Sequence, residues 1–379
     1  MKPNYPNSQP IAIRSLQSAH HAAHIPPTIL HVTWNLGRRC NYDCSYCSPH
    51  IHDSISPHLS LDSVKNFLPL LDQWARANSK TIQFNLTGGE PFVNPDILEI
   101  LSSIRSVQSC SEQLTVCTNG SLPLKLYLDA LEWVTNLTIS IHLERPQHEI
   151  DRVIDTIIQL NQQKEKFINV NLLCVATEFD RMQYVKKILD QNLVKYVLRR
   201  VRPNFDENGN LYRPHQRLKN KTYALMPISQ QADKKNVYKT LRSERLSQLY
   251  TDYYSESELN WLHENIPDVW YQNLGVWFED GSYVEGNSDD LLTRDLTVFK
   301  GWACWAGIDQ IYVEFDGTIY RGYCANDGAI GNIKDLEINF PNSHTVCSKA
   351  TCSSNPDIIV RKSQNPGFDF LTPEAKSYK

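Results

Sequence analysis

From Ile29 to about Arg202 the chain alternates strand-like and helix-like stretches, and this alternation limits the fold more than any other feature. Strand patterns fall at Leu30–Leu36, Thr81–Leu86, Gln113–Cys117, Leu137–Leu143, Phe167–Ala176 and Tyr196–Val201. Apolar residues at helical spacing fill the stretches between them, over Leu61–Ala77, Ile97–Ile104, Leu124–Val134, His148–Gln163 and Arg181–Gln191. Ser60 is placed to cap the first helix, and Pro69 inside it is expected to kink or split it. Short connections between such units require helices that cross back over a parallel sheet. The expectation is an α/β chain with a partial (β/α)6 barrel, two units short of a closed eight. A length of 379 residues leaves room for a smaller module beyond it.

The loop leaving the first strand reads Cys40-Asn41-Tyr42-Asp43-Cys44-Ser45-Tyr46-Cys47, a C-x3-C-x2-C spacing. Three thiols this close can share one metal centre. Closed zinc and iron–sulfur sites use four protein ligands, so a set of three leaves one coordination position for something else. A zinc loop completed by His50 or a distant thiol is the alternative. The second strand ends in Thr87-Gly88-Gly89-Glu90-Pro91. Two glycines there let the backbone approach a ligand closely, and the adjacent carboxylate can accept from an ammonium group.

The cysteine loop and the Gly-Gly-Glu turn, each at the end of a strand, resemble the radical S-adenosylmethionine (radical SAM) superfamily. The resemblance covers about residues 29–202. It implies a [4Fe–4S] cluster on Cys40, Cys44 and Cys47, with S-adenosylmethionine on the remaining iron and an external reductant such as flavodoxin or ferredoxin. It implies that Gly88, Gly89 and Glu90 hold the methionine amino group. It further implies that Asn119 and Ser140 contact the ribose or carboxylate, and that Tyr46 and, more weakly, Val175 pack near the adenine. Among Arg199, Arg200 and Arg202, Arg199 is the candidate carboxylate ligand; Arg199 and Arg200 point to opposite faces. His142 stands where the family often has an acid, and it is a candidate proton donor or acceptor facing the substrate; a hydrogen-bonded barrel histidine is the alternative.

After Pro203 the composition turns polar, with a basic stretch over 214–246 that reads as a solvated face. Two hairpins follow, each with an Asp-Gly turn, at 275–284 and 312–320. Cys304, Cys324, Cys347 and Cys352 surround the second. This layout resembles the twitch module, the shortened SPASM extension, and implies an auxiliary [4Fe–4S] cluster. The final C-x4-C pair is wider than such modules commonly show, and a structural zinc is the competing reading. Cys110, Cys117 and Cys174 read as buried free thiols that behave as small apolar side chains. The expected divisions are a flexible lead-in (1–27), the barrel (28–203), a bridging, substrate-facing region with the first hairpin (204–299), the cluster module (300–352) and a tail (353–379).

A net charge of −4 gives no electrostatic argument for nucleic acid or an anionic bilayer. No apolar run approaches membrane-spanning length, and Met1–Pro27 lacks a secretory core. Ten cysteines at metal-like spacings in a chain this long point to a reducing, cytoplasmic setting. The expected activity is reductive cleavage of S-adenosylmethionine and hydrogen abstraction from a peptide or small molecule. A redox outcome such as dehydrogenation, cross-linking or epimerisation is favoured. A zinc or iron–sulfur scaffold or regulatory binder that never cleaves the cofactor is the alternative class.

Overall fold

The computed structural model describes residues 19–23, 27–47, 52–163, 166–201, 204–205, 211–212, 254–265, 273–278, 283–287, 297–335, 337–352 and 354–367. His50, Arg202, the basic 214–246 stretch and the Asp280–Gly281 turn lie outside them.

In chain order the elements are β1 (Ala19–Ala23), β2 (Ile29–Asn35), α1 (Leu61–Ala77), β3 (Thr81–Thr87), α2 (Ile97–Arg105), β4 (Cys110–Thr118), α3 (Leu124–Ala130), β5 (Asn136–Ile141), α4 (Gln147–Asn161), β6 (Phe167–Cys174), α5 (Phe179–Gln191) and β7 (Tyr196–Arg200). The short pair β8 (Asn204–Phe205) and β9 (Leu211–Tyr212) is followed by α6 (Glu256–Asn265), β10 (Asn273–Phe278), β11 (Tyr283–Asn287), β12 (Ala303–Cys304), β13 (Gln310–Val313), β14 (Thr318–Tyr320), β15 (Ala329–Asn332), β16 (Thr345–Val346), α7 (Asn355–Ile358) and β17 (Lys362–Ser363).

Strands β2 to β7 pair in sequence order, all parallel, as the alternation requires. Their burial alternates. Leu30, Val32 and Trp34 of β2 are fully buried beneath the helices, with the Phe67 ring edge-on to Trp34 at 5.4 Å. Fully burying each such side chain stabilises by about 1.5–3 kcal/mol. The opposite row is polar. Asn85 accepts from the Cys117 thiol (3.6 Å), Asn171 donates to Ser140 (3.4 Å), and Arg199 donates to Asn171 (3.1 Å). Cys117 therefore faces this polar lining, whereas Cys174 is fully buried in the core.

Ser60 caps α1 through the Ser63 N–H, and α1 runs unbroken through Pro69. Pro69 is exposed, so its ring points to solvent and the lost hydrogen bond is on the wet side of the helix.

The sheet also grows beyond β2, which local periodicity does not foretell. β13 pairs with β2 in parallel, matching Gln310 to His31 and Val313 to Trp34, and antiparallel β14 and β15 follow to make nine strands. The second hairpin thus belongs to the barrel sheet. Its Asp-Gly turn sits at Asp316 and Gly317, with Gly317 at φ +90° and Asp316 accepting from the Thr318 N–H.

A second sheet has the order β11-β10-β1-β17-β12-β16. It takes in a short piece of the expected lead-in and a short piece of the expected tail. Ala19–Ala23, in the expected lead-in, pairs with both β10 and β17. Residues 354–363, in the expected tail, form α7 and β17, with Asp357, Lys362 and Ser363 all buried. These segments are too short to signal themselves; the edges offered by β10 and β12 recruit them. A buried ion cluster ties the sheets together: Asp309, fully buried, receives Lys80 at 3.1 Å and both forks of Arg361 at 2.5 and 2.7 Å.

Candidate active site

Asn35 ends β2, and the chain turns at Gly37 into the cysteine loop. The Gly-Gly-Glu turn after β3 is fastened to that loop by two backbone bonds, Gly89 N–H to Gly37 O (2.8 Å) and Glu90 N–H to Arg39 O (2.9 Å). The glycines are there for this contact. A Cβ on Gly88, whose φ is +144°, would lie 2.6 Å from Gly37 O; one on Gly89 would lie 2.4 Å from the carbonyl oxygens of Arg38 and Arg39. Protein backbone makes a close approach at both glycines.

The other limb of the loop is held by Asp53, which exchanges backbone bonds with Arg38 and Cys40 (2.9 and 2.7 Å) while its carboxylate lies 3.4 Å from the buried Arg38 guanidinium. Asn41 donates to Ser121 (2.7 Å) and accepts from Asn119 (2.9 Å), tying the loop to the end of β4. Glu144, just past β5, accepts from the Ser45 N–H (2.8 Å) and from the Ser45 hydroxyl.

Glu90 is buried and accepts from Phe92 N–H (3.0 Å), the Thr118 hydroxyl (2.7 Å) and Asn119 N–H (2.6 Å). Burial pushes its carboxyl up to about 7, against the lowering effect of those three donors.

His142 follows the last residue of β5. Its Nδ1 lies 2.6 Å from the Tyr46 hydroxyl and 3.2 Å from Cys44 Sγ, and its ring stacks parallel to Tyr46 at 6.0 Å. Burial and the neighbouring Arg145 hold it down to about 4, so the ring is neutral at pH 7. Tyr46 and His142 therefore form one unit beneath the cysteines. Val175 is buried just past the end of β6. Arg199 points into the polar lining while Arg200 is buried, the opposite facing expected of neighbours on a strand.

The structure brings the three loop thiols within electrostatic reach of one another, Cys40 with Cys47 and Cys44 with both. Cys40 Sγ is faced by Tyr42 N–H at 3.4 Å and by the Asn119 amide at 4.0 Å. Burial pushes Cys40 up to about 12 and Cys44 well above the ordinary thiol value, so both are neutral without a metal to offset the cost of the thiolate. Among the described residues, no three Cys, His, Asp or Glu side chains close on one point as ligands of a single ion. None of the ten cysteines is in a disulfide.

Residues 34–170 match the family model described as the Radical SAM superfamily. This stretch is a radical SAM domain. It holds the cysteine loop, the Gly-Gly-Glu turn and β3 to β5. Among relatives, molybdenum cofactor biosynthesis protein 1 of Drosophila melanogaster is 29% identical over 181 residues, 43% of this chain and 31% of its own. The S-adenosylmethionine-dependent nucleotide dehydratase of Psychrobacter lutiphocae is 22% identical over 182 residues, 42% of this chain and 60% of its own. The chain thus spans between about a third and three fifths of these relatives' lengths. The solved structure "Native anSMEcpe with bound AdoMet" is 15% identical, covering 82% of this chain and 79% of its own, at a TM-score of 0.43.

A radical SAM domain uses a [4Fe–4S] cluster and S-adenosylmethionine. The residues present fit that pair: three free, soft thiol donors share one loop, with N–H groups directed at sulfur.

The thiols of the second cysteine group lie within electrostatic reach of one another. Cys304 senses Cys347, Cys324 senses Cys304 and Cys352, and Cys352 senses Cys347 and Cys304. Cys304, Cys347 and Cys352 are buried, and the Cys324 N–H donates to Asp357 at 2.6 Å. Asp357 and Lys362 beside this group, and Glu144 beside the first, carried no spacing signal. Glu144 was the easiest to find, two residues beyond His142 at a strand tip.

Proposed function

We propose that this chain is a radical SAM enzyme that abstracts hydrogen from a peptide or small molecule and leaves it oxidised, cross-linked or epimerised. What carries the reading is the three-thiol loop, clamped by two backbone bonds to the Gly-Gly-Glu turn at the C-terminal edge of the parallel sheet. When bound, the cluster and S-adenosylmethionine supply a 5'-deoxyadenosyl radical by reductive cleavage, drawing an electron from a partner such as flavodoxin or ferredoxin.

Cys40, Cys44 and Cys47 would hold the cluster. Tyr42 N–H and the Asn119 amide face Cys40 and ease its thiolate charge. Glu90 would receive the methionine ammonium; the three donors already on it offset part of the burial that holds its carboxyl up. Ser140, Asn119 and Arg199 stand on the polar lining to bind ribose or carboxylate, and Val175 supplies an apolar contact for the base. Neutral His142 shares a hydrogen bond with the Tyr46 hydroxyl and lies against Cys44 Sγ through the same Nδ1, so it positions both side chains.

Cys304, Cys324, Cys347 and Cys352 would hold a second, fully ligated [4Fe–4S] cluster suited to accept an electron from the substrate. Ten cysteines with no disulfide among them suit a reducing, cytoplasmic location. Among the described residues no helix is long and apolar enough to cross a membrane. Anaerobic reconstitution with iron and sulfide should give about eight irons per chain, as two cubane sites require. Added reductant and S-adenosylmethionine should then release 5'-deoxyadenosine. Iron-loaded protein that leaves S-adenosylmethionine intact would defeat the reading, whereas four irons with one zinc would defeat only its second cluster.

A further inference from the structure

Lys362 is 1% exposed and stands beside the second cysteine group. It lies opposite Cys304 in the antiparallel β12–β17 pair, so the two side chains leave the same face of the sheet. Its Nζ is caged by the backbone carbonyls of Asp357 (2.5 Å), Val360 (2.9 Å) and Ile358 (3.1 Å) and lies 5.0 Å from the Phe299 ring centroid. A buried amine normally sheds its proton. Here three carbonyl acceptors match the three N–H donors of the charged form. Asp357, the carboxylate nearby, is engaged by Gln310 (2.6 Å), Tyr323 N–H (2.8 Å) and Cys324 N–H (2.6 Å).

We propose that the Lys362 ammonium is the fixed countercharge of the four-cysteine centre, offsetting thiolate charge in a dry interior and raising the reduction potential of a cluster bound there. The physical reason is that an added electron makes the centre more negative, and a cation on the same face of the sheet stabilises that state more in protein than in water. A higher potential suits a centre that takes an electron from a substrate. The inference rests on the reading of these four cysteines as an iron–sulfur site.

The test uses the full chain with Cys40, Cys44 and Cys47 changed to Ala, so that the second centre alone is observed. Iron and sulfide are counted after anaerobic reconstitution, and the midpoint potential is read by titration followed by electron paramagnetic resonance. Lys362→Gln keeps an N–H donor for the carbonyl cage and removes the charge; it should lower the midpoint at unchanged iron. Lys362→Arg keeps the charge and should stay near the parent value. Asp357→Asn, which removes a negative charge from the same centre, should shift the midpoint upward and serves if Lys362→Gln does not fold. Equal midpoints in the parent, Lys362→Gln and Asp357→Asn proteins at equal iron would overturn the proposal and leave the cluster standing. A parent that takes up no iron and sulfide would remove the cluster reading and the proposal with it.

Discussion

Replacing Gly89 by alanine tests whether the clamp between the two loops holds the first cluster site. Gly89 has an ordinary negative-φ backbone, so the substitution adds no conformational strain of its own. Its cost is steric: the new methyl would sit 2.4 Å from the carbonyl oxygens of both Arg38 and Arg39, roughly 1 Å inside ordinary van der Waals contact. Those oxygens are backbone atoms and cannot swing aside as a side chain would. Relief requires the cysteine loop to move away, which breaks the Gly89–Gly37 and Glu90–Arg39 bonds at 2.8 and 2.9 Å. Two buried backbone bonds left unmade cost about 1–3 kcal/mol each, or roughly 2–6 kcal/mol together. A whole domain is stable by about 5–15 kcal/mol, so the barrel survives while the loop is displaced. The expected Gly89→Ala protein is folded by circular dichroism, melts lower, loses iron at the three-cysteine site while keeping it at the four-cysteine site, and releases little 5'-deoxyadenosine. Hydrogen exchange should rise around residues 37–47. Full iron loading with normal cleavage would show that the clamp does not position the thiols.

Cys44→Ala should abolish 5'-deoxyadenosine release and halve the iron content; retained cleavage would contradict Cys44 as a ligand. Asp309→Ala leaves the buried Lys80 and Arg361 charges unpaired, so a loss of about 3–5 kcal/mol is expected in denaturant unfolding, and a loss below about 1 kcal/mol would refute the anchoring role given to that cluster. Glu90 titrates at about 7 in the folded chain against an ordinary 4.5. The native state therefore binds the proton more tightly than the unfolded one, and stability contributed by the neutral form is lost as pH rises from about 4.5 through 7. Glu90→Gln should flatten that part of the stability profile of the metal-free protein; an unchanged slope would mean that Glu90 is not the group responsible.

The barrel was readable because its information is local. Alternating burial in β3 and β6, the Ser60 cap and the apolar face of α1 each follow from residues a few positions apart. The cysteine loop was readable for the same reason: three ligands in eight residues need no fold to bring them together. Pro69 misled because a proline disrupts a helix only as far as its lost bond and ring cannot be accommodated, and here both face solvent.

Chain order and periodicity were enough to specify parallel strands, the tips at which Cys40, Gly88 and His142 emerge, and the chemistry three thiols allow. They were silent on every contact between distant segments. β13 docks on β2 from far along the chain, and the Asn35–Tyr312 bond joins residues 277 positions apart; β1 and β17 join a sheet through short stretches; Glu90 spends its oxygens on Thr118 and Asn119; and Lys362 arrives beside Cys304. Such partners are selected by free strand edges and by buried charges that must find opposite charge, needs that arise once the chain has already folded around them.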